Sequence, residues 1–165
     1  MRYKIIILLS LFSASLHAQN SLEELLNKFN ENSVPYISVE ELVDLEKDGN
    51  VVILDAREFE EYEVSHIKNS LFVGYNKYSP EMVLATITDP RTPIVVYCSL
   101  GIRSENISEK LKAAGFTDVR NLYGGIFEWK NKHNPVFDSE EKETEKVHAY
   151  SKSWSKWLTN GEKIY

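Results

Sequence analysis

Two short runs, VVILDA (residues 51–56) and PIVVYCS (residues 93–99), most constrain what this chain can fold into. Both are continuous, apolar and rich in β-branched residues, without the alternation of a half-exposed strand. Each therefore has to be covered on both faces, which places it inside a parallel sheet flanked by helices. The flanking segments supply those helices. Ser38 and Glu41 form a capping box that opens SVEELVDLEKDG, and Gly49 stops it. A charged helical turn, REFEEYEVSHI, follows the first run, and SPEMVLATI carries Pro80 near its start. After the second run, RSENISEKLKAAGF sets Ile107, Leu111 and Ala114 on one face and ends at Gly115, and IFEWKNKH is a short last helix. PYIS, SLFVGY and DVRNLY read as further strands. This alternation predicts an α/β fold in three layers, with a central, mostly parallel sheet and helices on both faces.

The ends of the chain read differently. Residues 1–18 have a basic start at Arg2 and Lys4, an apolar run from Ile5 to Phe12 and small residues closing on Ala18, the pattern of a secretory signal peptide. The run is too short to span a bilayer, which takes about 20 residues. The expectation is a periplasmic or secreted protein with no stable membrane insertion after cleavage. Residues 19–33 form a helical lead-in with Leu22, Leu25, Leu26 and Phe29 at helical spacing, residues 34–135 the domain, and residues 136–165 a C-terminal extension. In the extension the run from Glu140 to Lys146 reads as a solvated helix face. Val147, Tyr150, Trp154 and Trp157 then fall at helical spacing, which predicts an amphipathic helix packed on the domain. Loss of residues 1–18 moves the formal charge from -6 to -8, so nucleic acid is not an expected partner.

Cys98 is the single cysteine of the 165 residues. An exported chain with one thiol has no internal disulfide to form, and it holds no second thiol to resolve an adduct on the first. Cys98 ends an apolar strand, where an open α/β sheet binds its ligands. Residues 99–103 lead from that strand into a helix. Gly101 lets successive N–H groups turn inward as an anion-binding nest, the helix dipole adds to the field, and Arg103 adds a full charge. Each effect favours thiolate and depresses the thiol pKa from its free value of about 8.5, while burial opposes them. Cys98 is thus the candidate nucleophile, and Ser99, Leu100, Gly101, Ile102 and Arg103 the candidate anion cradle.

Three motifs occur in order: LDAREFEEYEVSHIKNSLFVG, CSLGIRS and NLYGGIFEW. Over residues 34–135 the chain resembles the single-domain rhodaneses, a sulfurtransferase family. The resemblance implies a ping-pong reaction in which the Cys98 thiolate takes the outer sulfur of thiosulfate or a persulfide, holds it as a persulfide, and passes it to cyanide or to a thiol, small or protein-borne. No metal or organic cofactor is implied. Asp55, Arg57 and Ser104 become supports of the loop, with Arg57 paired to Glu61, and His66 sits in a structural turn. Cys98 to Arg103 counts as Cys-x4-Arg, shorter than the Cys-x5-Arg loop of related phosphatases and arsenate reductases, which makes oxyanion chemistry the second choice. A binding module without enzymatic activity is the alternative from another class. Ser99, Leu100 and Ile102 depart from the basic loops of thiosulfate-preferring members and direct attention to a persulfide or protein-borne donor. In an oxidising compartment a reactive thiol needs protection, a role for the tail around Trp154 and Trp157.

Overall fold

The computed structural model describes residues 22–165, so the segment read as a signal peptide lies outside the described residues. Residues 22–29 form helix α1, within a first unit that ends at Glu31; Asn32–Tyr165 is a second unit and holds the sheet.

Five strands build that sheet: β1 (Tyr36–Ile37), β2 (Val52–Asp55), β3 (Leu71–Phe72), β4 (Ile94–Tyr97) and β5 (Val119–Leu122). They lie in the order β1-β5-β4-β2-β3 and every pairing is parallel. The two apolar runs are the neighbours β2 and β4, in register from Val52 opposite Ile94 to Asp55 opposite Tyr97. Between the strands come α2 (Val39–Asp48), α3 (Phe59–Val64), α4 (Pro80–Leu84) and α5 (Arg103–Ala113), with α6 (Gly125–Asn131) after β5. Right-handed crossovers make the direction of travel along the sheet decide the face. The chain moves one way from β3 to β4 to β5, which puts α4 and α5 together, and the other way from β1 to β2 to β3, which puts α2 and α3 opposite. In agreement, one core cluster joins Leu54, Val96 and Ile94 of the sheet to Val83 of α4 and to Ile107 and Leu111 of α5. Alternation along the strands sends Ile53, Val95 and Tyr97, all buried, to the other face.

The local signals act as expected. Ser38 Oγ accepts from the Glu41 N–H at 3.2 Å while Glu41 Oε2 accepts from the Ser38 N–H at 2.8 Å, and Gly49 closes α2 at φ 69°. Pro80 opens α4, and α5 ends just before Gly115.

The extension differs from its expectation. Val136–Phe137 (β6) and Glu143–Thr144 (β7) form an antiparallel hairpin across the charged run, and Lys146–His148 (β8) pairs in parallel with Glu162–Ile164 (β9). Between the last two lies only a 3-10 turn, Ser155–Trp157. Val147 and Ala149 are the fully buried pair, a period of two, whereas Tyr150 is 48% exposed. The helix is lost for a physical reason. Strand pairing satisfies the backbone of β8, and the serines bond locally in place of helical turns: Ser155 Oγ donates to the Lys152 carbonyl at 3.0 Å and Ser151 Oγ meets Ser153 Oγ at 3.0 Å. Within the second unit, β8 lies against α3.

Candidate active site

The carboxyl ends of β2 and β4 mark the point where the chain's direction along the sheet reverses: β2 leads through α3 to β3 on one side, and β4 leads through α5 to β5 on the other. In open α/β sheets this is where ligands bind. Cys98 follows β4 directly, and Asp55 and Arg57 follow β2, so the topology brings together the residues that the sequence singles out.

The loop from Cys98 to Arg103 is braced from every side. The Ile126 N–H donates to the Cys98 carbonyl at 2.9 Å and the Phe127 N–H to the Ser99 carbonyl at 3.2 Å, so the first turn of α6 holds the loop's entry. Gly125 makes this approach possible. At φ 54°, a Cβ there would stand 2.3 Å from the Cys98 carbonyl oxygen and 2.8 Å from Ser99 backbone atoms, which no side chain can share. On the far side, Asn121 of β5 donates from Nδ2 to the Gly101 carbonyl at 2.8 Å and accepts from Ser104 Oγ at 2.7 Å.

Cys98 itself is 2% exposed. The Gly101 N–H donates to its Sγ at 3.1 Å, and Ser104 Oγ lies 3.5 Å from it. Burial pushes the thiol pKa up; the Arg103 charge, the Ser104 hydroxyl and the N–H groups of Ser104 and Gly101 more than offset it and hold it below its ordinary value. The shift is in the direction that a reactive cysteine requires.

Arg103 stands beside the sulfur with its own charge balanced. Nη1 donates to Glu61 Oε2 at 2.7 Å, and Nη2 to Glu61 Oε1 at 2.8 Å and to Ser99 Oγ at 3.0 Å. Ser99 Oγ in turn donates to Glu61 Oε1 at 3.1 Å. Burial pushes the Glu61 carboxyl up, and the bonds from Arg103, the charges of Arg103 and Arg57 and the Glu58 N–H bring it below the usual range. Ser99, Leu100 and Gly101 are buried, Leu100 at 1% exposure, so the half-buried Ile102 and Arg103 are the loop's more exposed residues. Gly101 has φ 111°, a conformation that glycine alone adopts readily, and Ile102 is half-buried just before α5.

The expected pairing of Arg57 with Glu61 is corrected. Arg57, fully buried, holds Asp55 through Nε at 3.0 Å and Nη2 at 2.6 Å, and its Nη2 also reaches the Ser65 carbonyl at 2.6 Å. Tyr97 donates its hydroxyl to Asp55 Oδ2 and lies under the guanidinium, 5.5 Å from ring centre to Cζ. Arg57 therefore ties the end of β2 to the turn after α3, while Glu61 serves Arg103. His66 stacks on Tyr62 at 4.1 Å and bridges to Phe137 through backbone hydrogen bonds, a structural setting. Among the described residues there is no group of three or more His, Cys, Asp or Glu side chains arranged to hold a metal.

The sequence reading missed Glu61 as a partner of the loop, Asn121 as its brace and Tyr150 as its neighbour. A polar Asn121 one alternation along β5 from the apolar, buried Val119 was the one available signal for the second. Glu61 and Arg103 are 42 positions apart, and only the topology joins them.

A buried thiol at the switch point of a five-stranded parallel sheet, with the Gly101 N–H on its sulfur, defines the class: an α/β domain with a cysteine loop after its central strand. Residues 38–132 match the family model for the rhodanese-like domain. The chain belongs to the rhodanese-like family. It is 36% identical over 103 residues to the thiosulfate sulfurtransferase GlpE of Coxiella burnetii (strain RSA 331 / Henzerling II), a match that covers 62% of this chain and 92% of that one. A tRNA uridine(34) hydroxylase of Hamiltonella defensa is 33% identical over 97 residues, covering 57% of this chain and 27% of its own. The crystal structure of a thiosulfate sulfurtransferase from Pseudomonas aeruginosa superposes with a TM-score of 0.59 at 27% identity, over 78% of this chain and 24% of that chain.

Proposed function

We propose that this protein is an exported sulfurtransferase that carries sulfane sulfur as a persulfide on Cys98. The observation that carries the reading is the set of contacts on Cys98 Sγ. A buried sulfur that accepts from the Gly101 N–H at 3.1 Å, beside Ser104 and the Arg103 charge, has its pKa held below the ordinary thiol value, the direction a sulfur nucleophile needs. In the first half-reaction the thiolate attacks the outer sulfur of the donor. A Cys98–sulfur bond forms, the donor's sulfur–sulfur bond breaks, and its electron pair leaves as sulfite or as a thiolate. In the second, cyanide or an acceptor thiolate takes the outer sulfur and Cys98 thiolate returns. The same N–H groups meet negative sulfur in both halves, which splits one transfer into two easier ones.

The relatives named as thiosulfate sulfurtransferases support this reaction class. The match to the hydroxylase spans under a third of that protein's length, which gives no ground for carrying its activity over. Export rests on the pattern of residues 1–18. The test is turnover from sulfane donors to cyanide and to small thiols, with Cys98→Ser as control. Sulfur transfer by the wild type and none by the variant is the expected result; no transfer by folded wild type from any donor overturns the reading.

A further inference from the structure

Residues 136–165 lie beyond the segment matched by the family model, yet one of them touches the loop. The ring of Tyr150 sits 4.8 Å over the Arg103 guanidinium, and Trp154 stands edge-on to that ring at 5.7 Å. Tyr150 holds φ 62°, a left-handed conformation unfavourable for a bulky side chain. The surroundings impose it. The Tyr150 N–H donates to His148 Nδ1 at 3.1 Å, the Ser151 N–H to the Ala149 carbonyl at 2.7 Å, and the Ala149 N–H to the Ile164 carbonyl at 2.8 Å, with Val147 and Ala149 fully buried on either side of His148. The conformation so imposed sets the Tyr150 ring against the charged residue beside Cys98.

Arg103 is the single cation of the loop from Ser99 to Arg103, and it is engaged: Glu61 takes both terminal nitrogens, Ser99 shares one, and Tyr150 covers a face. Thiosulfate brings two negative charges toward a thiolate whose nearby cation is already balanced. The persulfide of an otherwise uncharged organic thiol brings at most one, together with a carbon skeleton that suits a half-exposed aromatic ring. We propose that Tyr150 is a specificity-determining residue of the Cys98 site: by stacking on Arg103 it keeps the guanidinium on Glu61 and off the donor, and so selects organic persulfides over the thiosulfate dianion. The proposal rests on the sulfur-transfer reading above. In the favoured step the Cys98 thiolate attacks the outer sulfur of R–S–S⁻, the inner S–S bond breaks, and R–S⁻ leaves with the electron pair, which conserves charge.

The test measures the second-order rate at which Cys98 gains one sulfur, by intact mass, from thiosulfate and from the persulfide of 2-mercaptoethanol, whose only charge is on the persulfide. It uses the full chain, Tyr150→Asn and Tyr150→Phe. Asparagine tolerates the left-handed backbone and removes the ring without adding strain; phenylalanine keeps the ring. The wild type is expected to load faster from the persulfide. In Tyr150→Asn the thiosulfate rate should rise roughly fivefold, the scale of one lost cation–π contact, with the persulfide rate equal or lower, and Tyr150→Phe should keep the wild-type ratio. An unchanged ratio in folded Tyr150→Asn, or the same change in Tyr150→Phe, overturns the proposal. Loading of the wild type from neither donor overturns the sulfur-transfer reading itself, and this selection falls with it.

Discussion

At the residue scale the site depends on what surrounds one sulfur. Arg103 is the charged contributor to the low pKa of Cys98, so Arg103→Gln should move the midpoint of the pH dependence of Cys98 alkylation upward, toward the ordinary thiol value. An unmoved midpoint would leave the N–H groups and Ser104 as the whole cause. Glycines make a second prediction by contrast. Gly125→Ala forces a Cβ into the Cys98 and Ser99 backbone and should cost about 3 kcal/mol or more in denaturant unfolding, together with the activity. Gly49→Ala shares a positive φ but meets nothing within 4 Å, and should cost only about 1 kcal/mol. Equal losses for the two would refute the close approach of α6 to the loop. Much of this scale was legible in the sequence, because Cys98, Gly101 and Arg103 carry their meaning within six positions. Glu61 and Asn121 were not legible as parts of the site, since their partners are distant in sequence and met only through the sheet.

At the element scale, α3 and the extension decide how the loop is held. Glu61 is buried within α3 and its carboxyl lies below the usual range, so the folded state binds its proton less readily than the unfolded state does. Its contribution is therefore in full above the ordinary carboxylate pKa and is lost as pH falls through the folded value. Glu61→Gln should flatten the acid limb of a stability–pH profile and should cost about 3 kcal/mol at neutral pH, where it leaves Arg103 unpaired. The extension makes its own prediction. A Cβ on Gly161, at φ 103°, would lie 2.9 Å from the Glu145 carbonyl oxygen, so Gly161→Ala should loosen the pairing of β8 with β9. Hydrogen exchange should then speed at the Ala149 amide, which bonds Ile164, and leave the β4 amides protected. The sequence misled here for an instructive reason. Val147, Tyr150, Trp154 and Trp157 fit a period near 3.6, but Val147 and Ala149 fit a period of two equally well, and only a strand partner 15 or more positions away decides between them.

At the scale of the whole molecule, the order of five short strands explains why the chemistry sits where it does. Both continuous apolar runs became neighbours inside the sheet, where each is covered on two faces, and the reversal of chain direction between them puts Cys98 at the topological switch point. That much of the fold could be read from VVILDA and PIVVYCS alone. The order of the edge strands could not, because PYIS and SLFVGY give only two paired residues each and carry little pattern. The central claim is that Cys98 is a covalent sulfur carrier, and the most direct measurement is intact mass after brief exposure to a sulfane donor and then to cyanide. A gain of one sulfur, about 32 Da, on the wild type and not on Cys98→Ser, reversed by cyanide, is the predicted result of covalent transfer. A folded wild type that gains no sulfur from thiosulfate or from an organic persulfide would contradict it.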